Sequence, residues 1–220
     1  IMNEDGTMAR VPELFEFARK HKIKIGTIED LIEYRIEHDT FVEKVTDAPF
    51  PSKYGTDFRI QVFKNHLDGL EHIAIVKGEI NPDEPALVRV QTECVMGDVL
   101  GSLIHNGQEN IELALRRIDL EGKGVLVYLR TENMDDRLIN RVNSYRDSNP
   151  RTSQHFNYDK RDYGVGAQIL RSIGVRKIKL LGTKLPSKRV GLKGYGIEIV
   201  GSELFNSQEN YVEGNDYVQQ

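Results

Sequence analysis

The sequence is poor in cysteine, because its 220 residues include only one, Cys94. A single thiol cannot form a disulfide within the chain, which excludes a fold held together by internal disulfides. No secretory signal is present, so we expect a cytoplasmic protein. The sequence also lacks any apolar run of about 18 residues, so it contains no predicted membrane span and we expect no membrane partner.

Basic residues are not in excess either. Lys and Arg number 30 against 34 Asp and Glu, which gives a net charge of −4 and a pI near 5.9. This balance argues against a broad nucleic-acid-binding surface. The hydrophobic fraction of 39% and the charged fraction of 29% are ordinary for a soluble globular protein. The length allows one large domain, or one domain with an appendage.

Apolar periodicity predicts the secondary structure. Strands are predicted at residues 22–26, 41–45, 58–64, 72–77, 86–91, 124–130, 176–181 and 197–200. Helices are predicted at residues 11–21, 27–39, 108–121 and 163–173, with a further helix whose apolar face holds Leu138, Ile139, Val142 and Tyr145. A strand-rich stretch followed by alternating helices and strands predicts an α+β fold, a mixed sheet flanked by helices.

The lone cysteine lies in a polar link between a strand and a helix. The strand at residues 86–91 ends shortly before Cys94, and a Gly97-Asp98 turn follows before the helix that starts near Gln108. Links of this kind, at the end of a strand, often carry functional residues. Residues 89–107 are therefore the first candidate for a site.

These residues resemble GTP cyclohydrolase II, an enzyme of riboflavin biosynthesis. The family pattern is Arg-Val-x-Ser-Glu-Cys-x-x-Gly-Asp-x-x-x-Ser-x-x-Cys-Asp-Cys-Gly, and its cysteines hold a catalytic zinc ion. The residues that match it without a gap are Arg89, Val90, Glu93, Cys94, Gly97, Asp98 and Ser102. The resemblance implies a GTP cyclohydrolase II-like fold and a homodimer. It also implies hydrolytic opening of the GTP imidazole ring, with release of formate and pyrophosphate and with magnesium bound to GTP.

The predicted zinc site is degraded. His105 and Gly107 stand at the second and third cysteine positions of the pattern. A catalytic zinc ion needs about three protein ligands; Cys94 and His105 supply two, and Gly107 has no side chain. Zinc binding is therefore in doubt, and Cys94 has the alternative of being a small buried residue. We expect weak or lost ring-opening activity.

Two later segments supply the catalytic candidates. Asp159 and Arg161 precede Tyr-Gly-Val-Gly-Ala-Gln-Ile-Leu, and the resemblance makes them the proton acceptor and the nucleophile or pyrophosphate contact. An Asp-x-Arg pair can equally be a surface ion pair that caps a helix. Tyr145 matches an active-site tyrosine of the family, with a core tyrosine as the alternative.

The resemblance also implies a set of nucleotide-binding residues. The family's Glu-Gly-Arg appears here as Glu-Asn-Met, so the acid is kept and the arginine is lost. Thr-Lys-Leu-Pro-Ser-Lys resembles the family's Thr-Asn-Asn-Pro-x-Lys, although its last lysine can equally be a surface residue. The segment at residues 146–158 is shorter than its family counterpart. The nucleotide-binding candidates are Arg89, Glu93, Asn110, Glu132, Thr183 and Lys188.

The first ten residues, Ile-Met-Asn-Glu-Asp-Gly-Thr-Met-Ala-Arg, resemble the closing segment of 3,4-dihydroxy-2-butanone-4-phosphate synthase. In bifunctional riboflavin-biosynthesis proteins that synthase precedes GTP cyclohydrolase II. We therefore expect residues 1–43 to be a synthase remnant without activity of its own. We expect residues 44–205 to form the GTP cyclohydrolase II-like domain and residues 206–220 to be a polar, disordered tail.

Three functional hypotheses follow. The first is a GTP cyclohydrolase II homologue whose ring-opening activity is weak or lost. The alternative is a non-catalytic structural or regulatory domain of the bifunctional protein. The third is a working enzyme with an altered metal site, built from Cys94, His105 and either His155 or water.

Overall fold

The computed structural model describes residues 1–3, 5–26, 30–31, 34–35, 39–104, 106–130, 138–146, 160–182 and 192–204. By its internal contacts the chain divides into two compact units, Ile1–Asp39 and Thr40–Gln220. All the strands that the structure describes belong to the second unit, and so does the candidate site.

The first unit contains helix α1, Val11–His21. At its start the Arg10 backbone N–H donates to the Glu13 carboxylate over 2.7 Å, and at its end Lys22 takes the left-handed conformation with φ of 54°. Residues 30–31 and 34–35 are helical. The strand predicted at residues 22–26 is wrong: no strand is found there, because Lys22 turns the backbone out of the helix and no strand pairs with this segment.

The second unit is built on one seven-stranded sheet with the order β1-β2-β3-β5-β4-β6-β7. Neighbours from β1 to β5 are antiparallel, whereas those from β5 to β7 are parallel. The predicted mixed sheet is confirmed. The strands are β1 Val42–Ser52, β2 Gly55–Asn65, β3 Glu71–Lys77, β4 Pro85–Thr92, β5 Gly124–Leu129, β6 Lys177–Gly182 and β7 Glu198–Leu204.

The first hairpin is longer than the sequence pattern predicts. The predicted strand at residues 41–45 becomes β1, which continues to Ser52 and pairs with β2 along most of its length. Prolines at positions 49 and 51 obscure this strand in the sequence, since proline cannot donate to a sheet. They are tolerated because β1 lies at the edge of the sheet, with a neighbour on one side only among the described strands.

Helices flank the sheet, as predicted. Leu115 of α3 packs with Leu87 and Leu126 on one face of the sheet, and Gly166 of α5 lies against Leu129 and Val90. Side chains three residues apart on a strand point to opposite faces, so the two helices cover opposite sides. The helices are α2 Val95–Asp98, α3 Gly107–Glu121, α4 Leu138–Ser144 and α5 Lys160–Ile173, with a 3-10 helix at Leu192–Tyr195.

Helix α4 differs from its prediction in burial. Its predicted apolar face remains largely exposed, with Leu138 at 52%, Ile139 at 71% and Val142 at 45% of full accessibility. The helical period was correct, but periodicity gives only the face that is apolar. Whether that face is covered depends on what packs against it.

Candidate functional site

The candidate site lies where the parallel strands end. Strands β5, β4 and β6 are neighbours and run in the same direction, so their carboxyl ends meet at one edge of the sheet. Open sheets with parallel strands commonly bind ligands at such an edge. Glu93 follows β4 and Arg130 follows β5. The Glu93 N–H donates to the Leu129 carbonyl over 2.8 Å, and the Arg130 Nε lies 3.7 Å from the Glu93 Oε2.

Cys94 begins a single helical turn rather than the predicted Gly-Asp turn. Its carbonyl accepts hydrogen bonds from the N–H groups of Gly97 at 2.9 Å and Asp98 at 2.7 Å, which form helix α2. Its own N–H donates to the Asp98 Oδ2 over 2.6 Å. The turn therefore closes on itself through the Asp98 side chain, with Cys94 buried at 7% exposure.

Asp98 also contacts both central strands. Its Oδ2 accepts a hydrogen bond from the Tyr128 hydroxyl at 2.7 Å, and its Oδ1 lies 3.5 Å from the Gln91 Nε2. Burial raises the pKa of Tyr128 above its ordinary value, and the hydrogen bond to Asp98 and the negative charge of that residue raise it further. Tyr128 therefore stays a neutral hydrogen-bond donor at physiological pH.

Arg89 is held by the protein on the same side of β4. Its Nη2 donates to the Gln91 Oε1 over 2.6 Å, and its Nη1 donates to the Leu181 carbonyl of β6 over 3.4 Å. Because the Gln91 oxygen accepts from Arg89, the amide nitrogen of Gln91 faces Asp98. Arg89, Gln91 and Asp98 thus form one hydrogen-bonded chain from β6 to helix α2.

Gly107, at the third cysteine position, is the first residue of α3 and is buried. A Cβ built on Gly107 would overlap the Asp98 Oδ1 and would lie 3.1 Å from the Asp98 backbone nitrogen. Real Cβ atoms are rarely that close to a backbone atom. The Asp98 carboxylate therefore fills the space that a side chain at position 107 would need.

The described residues do not fit zinc as the family pattern holds it. They supply one sulfur, from Cys94, and none at Gly107. The Asp98 Oδ2 accepts hydrogen bonds from both Cys94 and Tyr128. Across the described ranges, no group of three or more His, Cys, Asp or Glu residues is placed to hold a metal ion. His105 lies outside those ranges.

Two further candidates, Tyr145 and Asn110, are among the described residues. The Tyr145 hydroxyl lies 3.1 Å from the Ser102 Oγ, which connects the segment after α4 to the loop that follows α2. Tyr145 is 37% exposed, so it is a surface residue and not a core tyrosine. Asn110 lies in α3, and its N–H donates to the Asn106 carbonyl over 3.0 Å.

The side chains of the remaining candidates are not among those that the structure describes. Arg161 belongs to the first turn of α5, where only the backbone is described. The site predictions that fall outside the described residues are His105, Glu132, Asp159, Thr183 and Lys188.

Sequence reasoning missed Gln91, Tyr128 and Arg130 as parts of the site. A signal for two of them was present. Strand alternation puts Arg89 and Gln91 on one face of β4, and the parallel register pairs Gln91 directly with Tyr128 on β5. Polar side chains at the last inward position of two neighbouring strands indicate a site, but the pairing of β4 with β5 is needed to bring them together.

Comparisons with known proteins identify the family. The family model for GTP cyclohydrolase II matches residues 43–203, and the model for 3,4-dihydroxy-2-butanone 4-phosphate synthase matches residues 1–34. The riboflavin biosynthesis protein RibBA of Parabacteroides distasonis is 46% identical over 209 residues, 91% of this chain and 51% of that protein. RibBA of Bacillus subtilis is 47% identical over 207 residues, 90% of this chain and 52% of that protein.

A solved structure is also similar. It is the crystal structure of RibBX from A. baumannii, described as a two-domain 3,4-dihydroxy-2-butanone 4-phosphate synthase. It has a TM-score of 0.58 and 30% identity, and the match covers 93% of this chain and 52% of that one. This chain spans about half the length of these relatives. The match over residues 43–203 covers most of the chain, and the chain belongs to the GTP cyclohydrolase II family of riboflavin biosynthesis.

Proposed function

We propose that this chain serves riboflavin biosynthesis as a GTP cyclohydrolase II-family domain that binds GTP but opens its imidazole ring weakly or not at all. The observation that carries the proposal is the replacement at position 107. Gly107 offers no ligand, and the Asp98 carboxylate occupies the space beside it. Because the metal of the family generates the attacking water, loss of its ligands costs several kcal/mol of barrier lowering.

The binding half of the proposal is supported by the strand ends. Arg89 presents a permanent positive charge that neighbouring groups hold in place, and such a charge suits the phosphates of a nucleotide. Glu93 directly follows the strand of Arg89, beside Arg130, and provides a hydrogen-bond acceptor. GTP is the nucleotide that the family acts on, so it is the proposed ligand, with magnesium bound to its phosphates. We extend the family's homodimer and a cytoplasmic location to this chain as parts of the same proposal.

Zinc content and GTP turnover, measured on the same purified sample, test the proposal. We expect GTP to bind in calorimetry, zinc well below one equivalent per chain by elemental analysis, and formate release from GTP close to background. The third hypothesis, an altered but working metal site, predicts zinc near one equivalent together with formate release. That result would overturn the proposal.

Restoring the cysteines gives the matched experiment. The double variant His105→Cys/Gly107→Cys regains the sulfur ligands of the family pattern, and we expect its zinc content to rise towards one equivalent, with measurable formate release. The control is His105→Cys/Gly107→Ala, which brings the same crowding against Asp98 but no ligand at position 107. Equal zinc content in the two variants would show that position 107 is not what limits metal binding.

The alternative of a purely structural or regulatory domain is not favoured. The relatives described above are named for riboflavin biosynthesis or its synthase. The candidate nucleotide residues are kept, with Arg89 within β4 and Glu93 directly after it. Absence of GTP binding in the calorimetric experiment would be the result that revives this alternative.

A further inference from the structure

We propose that Asp98 is the positioning residue of this site and holds the Cys94 turn by hydrogen bonds. Its carboxylate occupies the space that a third metal-bound thiolate would need. The inference rests on the proposed function, because it assigns to a side chain the organising role that zinc has in the family. It names a residue whose role the motif resemblance leaves open, since Asp98 matches the pattern without being one of its metal ligands.

The Asp98 Oδ2 accepts two hydrogen bonds from different elements. The Asp98 Oδ2 accepts from the Cys94 N–H at 2.6 Å and from the Tyr128 hydroxyl at 2.7 Å. Hydrogen bonds to a charged carboxylate are stronger than those between neutral groups. One oxygen thus joins the turn that carries Cys94 to the end of β5.

The side chains that Asp98 contacts, Tyr128 and Gln91, are held in place by the sheet. Tyr128 and Gln91 lie on β5 and β4 and are paired in register, and Gln91 is only 8% exposed. The amide of Gln91 is oriented by Arg89, which donates to its oxygen. A side chain fixed by such neighbours can hold a turn without a metal ion, because the positions of its partners are set by the core of the sheet.

Gly107 leaves the space that the Asp98 carboxylate occupies. Any side chain at position 107 would overlap the Asp98 Oδ1, so the observed orientation of the carboxylate is possible only because Gly107 lacks a Cβ. The residue that removes a metal ligand therefore also makes room for the carboxylate. The missing ligand and the orientation of the Asp98 carboxylate towards position 107 have one structural cause, the absence of a side chain at Gly107.

The lone cysteine makes the test direct, because protein labelled with [¹⁵N]cysteine gives a single amide resonance, that of Cys94. In Asp98→Asn the charge of the carboxylate is lost. The single amide oxygen can take the place of Oδ2, but the amide NH2 then faces the Gln91 Nε2, which is also a hydrogen-bond donor. We expect the Cys94 resonance to move upfield and its hydrogen exchange to quicken by about tenfold or more. Tyr128→Phe, a milder change, should shift the resonance in the same direction, and Tyr54→Phe on the hairpin is the matched control.

The wild-type resonance is then recorded with and without EDTA. We expect no change, because hydrogen bonds hold the turn. A shift on chelation like that of Asp98→Asn would overturn the inference in favour of a bound metal, as would unchanged resonances in both Asp98→Asn and Tyr128→Phe. Should Asp98→Asn fail to fold, Tyr128→Phe alone decides. Failure of the proposed function is measured separately, as formate release with stoichiometric zinc.

Discussion

His72 is a buried titratable residue whose ring contacts the backbone just after β5. It lies on β3 with 3% exposure, and its Nδ1 accepts a hydrogen bond from the Arg130 backbone N–H over 3.2 Å. The proton of the neutral ring is therefore on Nε2, which has no hydrogen-bond partner in the part of the chain that the structure describes. Burial lowers the pKa of His72 below its usual value; Asp68 opposes this shift and Arg130 adds to it.

This residue predicts an acid-sensitive fold. In the unfolded chain His72 titrates near 6.5, whereas in the folded protein its lowered pKa keeps it neutral to lower pH. The unfolded state then binds more protons, so the free energy of unfolding falls as pH drops below about 6.5. Urea denaturation between pH 7.5 and about 5 should show this loss, and His72→Gln should reduce it.

The matched control is His66→Gln, which removes an imidazole from an exposed position beside Glu43. It should retain the acid-side loss of the wild type. An unchanged pH slope in His72→Gln would show that the lost stability comes from other groups.

The β1-β2 hairpin is fixed to α3 by a polar contact at its closed end. The Lys77 ammonium pairs with Asp119 and donates to the Thr56 carbonyl over 2.9 Å. The Thr56 N–H donates to the Asp119 Oδ1 over 3.1 Å. A Cβ on Gly55 would overlap the Asp119 side chain, so the turn approaches the helix closely because this residue is glycine. One carboxylate therefore joins β2, β3 and α3.

Asp119→Asn should destabilise the protein by about 1–3 kcal/mol, because the Lys77 side chain, only 13% exposed, loses its counter-charge. Thermal and urea unfolding at pH 7 measure the change. The control is Glu84→Gln, which removes the partner of Lys123 from a more exposed pair and should change stability little. Equal effects of the two substitutions would contradict the structural role assigned to Asp119.

Asp119 also makes the free energy of unfolding depend on pH. Its effect comes from a paired, charged carboxylate, whereas that of His72 comes from a buried, neutral imidazole. The hydrogen bond from Lys77 lowers the pKa of Asp119 below 3.8, and the Thr56 N–H contributes in the same direction against the effect of burial. Its contribution to stability is therefore complete above about pH 4 and is lost as pH falls through the lowered pKa. Asp119→Asn should accordingly cost less stability in strong acid than at neutral pH.

Secondary structure was largely predictable because periodicity reports local geometry. The strands at residues 86–91 and 124–130 and the helix at residues 108–121 needed only small changes at their ends. The wrong strand at residues 22–26 shows the limit, since alternating polarity does not supply a neighbouring strand. The missing ligand at Gly107 was likewise visible in the sequence.

The hydrogen-bonded group of Arg89, Gln91, Cys94, Asp98 and Tyr128 was less predictable from the sequence than the secondary structure. Asp98 and Tyr128 are 30 residues apart, and they meet only because β4 and β5 are parallel neighbours in a fixed register. The orientation of Asp98 depends in addition on the start of α3 at Gly107. Sequence motifs thus identify the residues of a site, while tertiary pairing decides which of them contact one another.

At the scale of the whole second unit, one core unites the sheet with α3. Leu115 is 1% exposed and packs in a cluster drawn from five strands of the sheet. Such a shared core predicts cooperative unfolding, since no strand of the cluster keeps its packing when another is lost. None of the helices that the structure describes is long and apolar enough to span a membrane.

Two leucines of α3 test this cooperativity. Leu115→Ala opens a cavity in the core and should lower the free energy of unfolding by about 2–5 kcal/mol. Leu120→Ala, the same change on a side chain that is 76% exposed, should stay within about 0.5 kcal/mol of the wild type. Because the chain has no tryptophan, tyrosine fluorescence and far-UV circular dichroism are the probes. In Leu115→Ala their midpoints should fall together, because sheet and helix share one core; separated midpoints would mean that the sheet and α3 unfold independently.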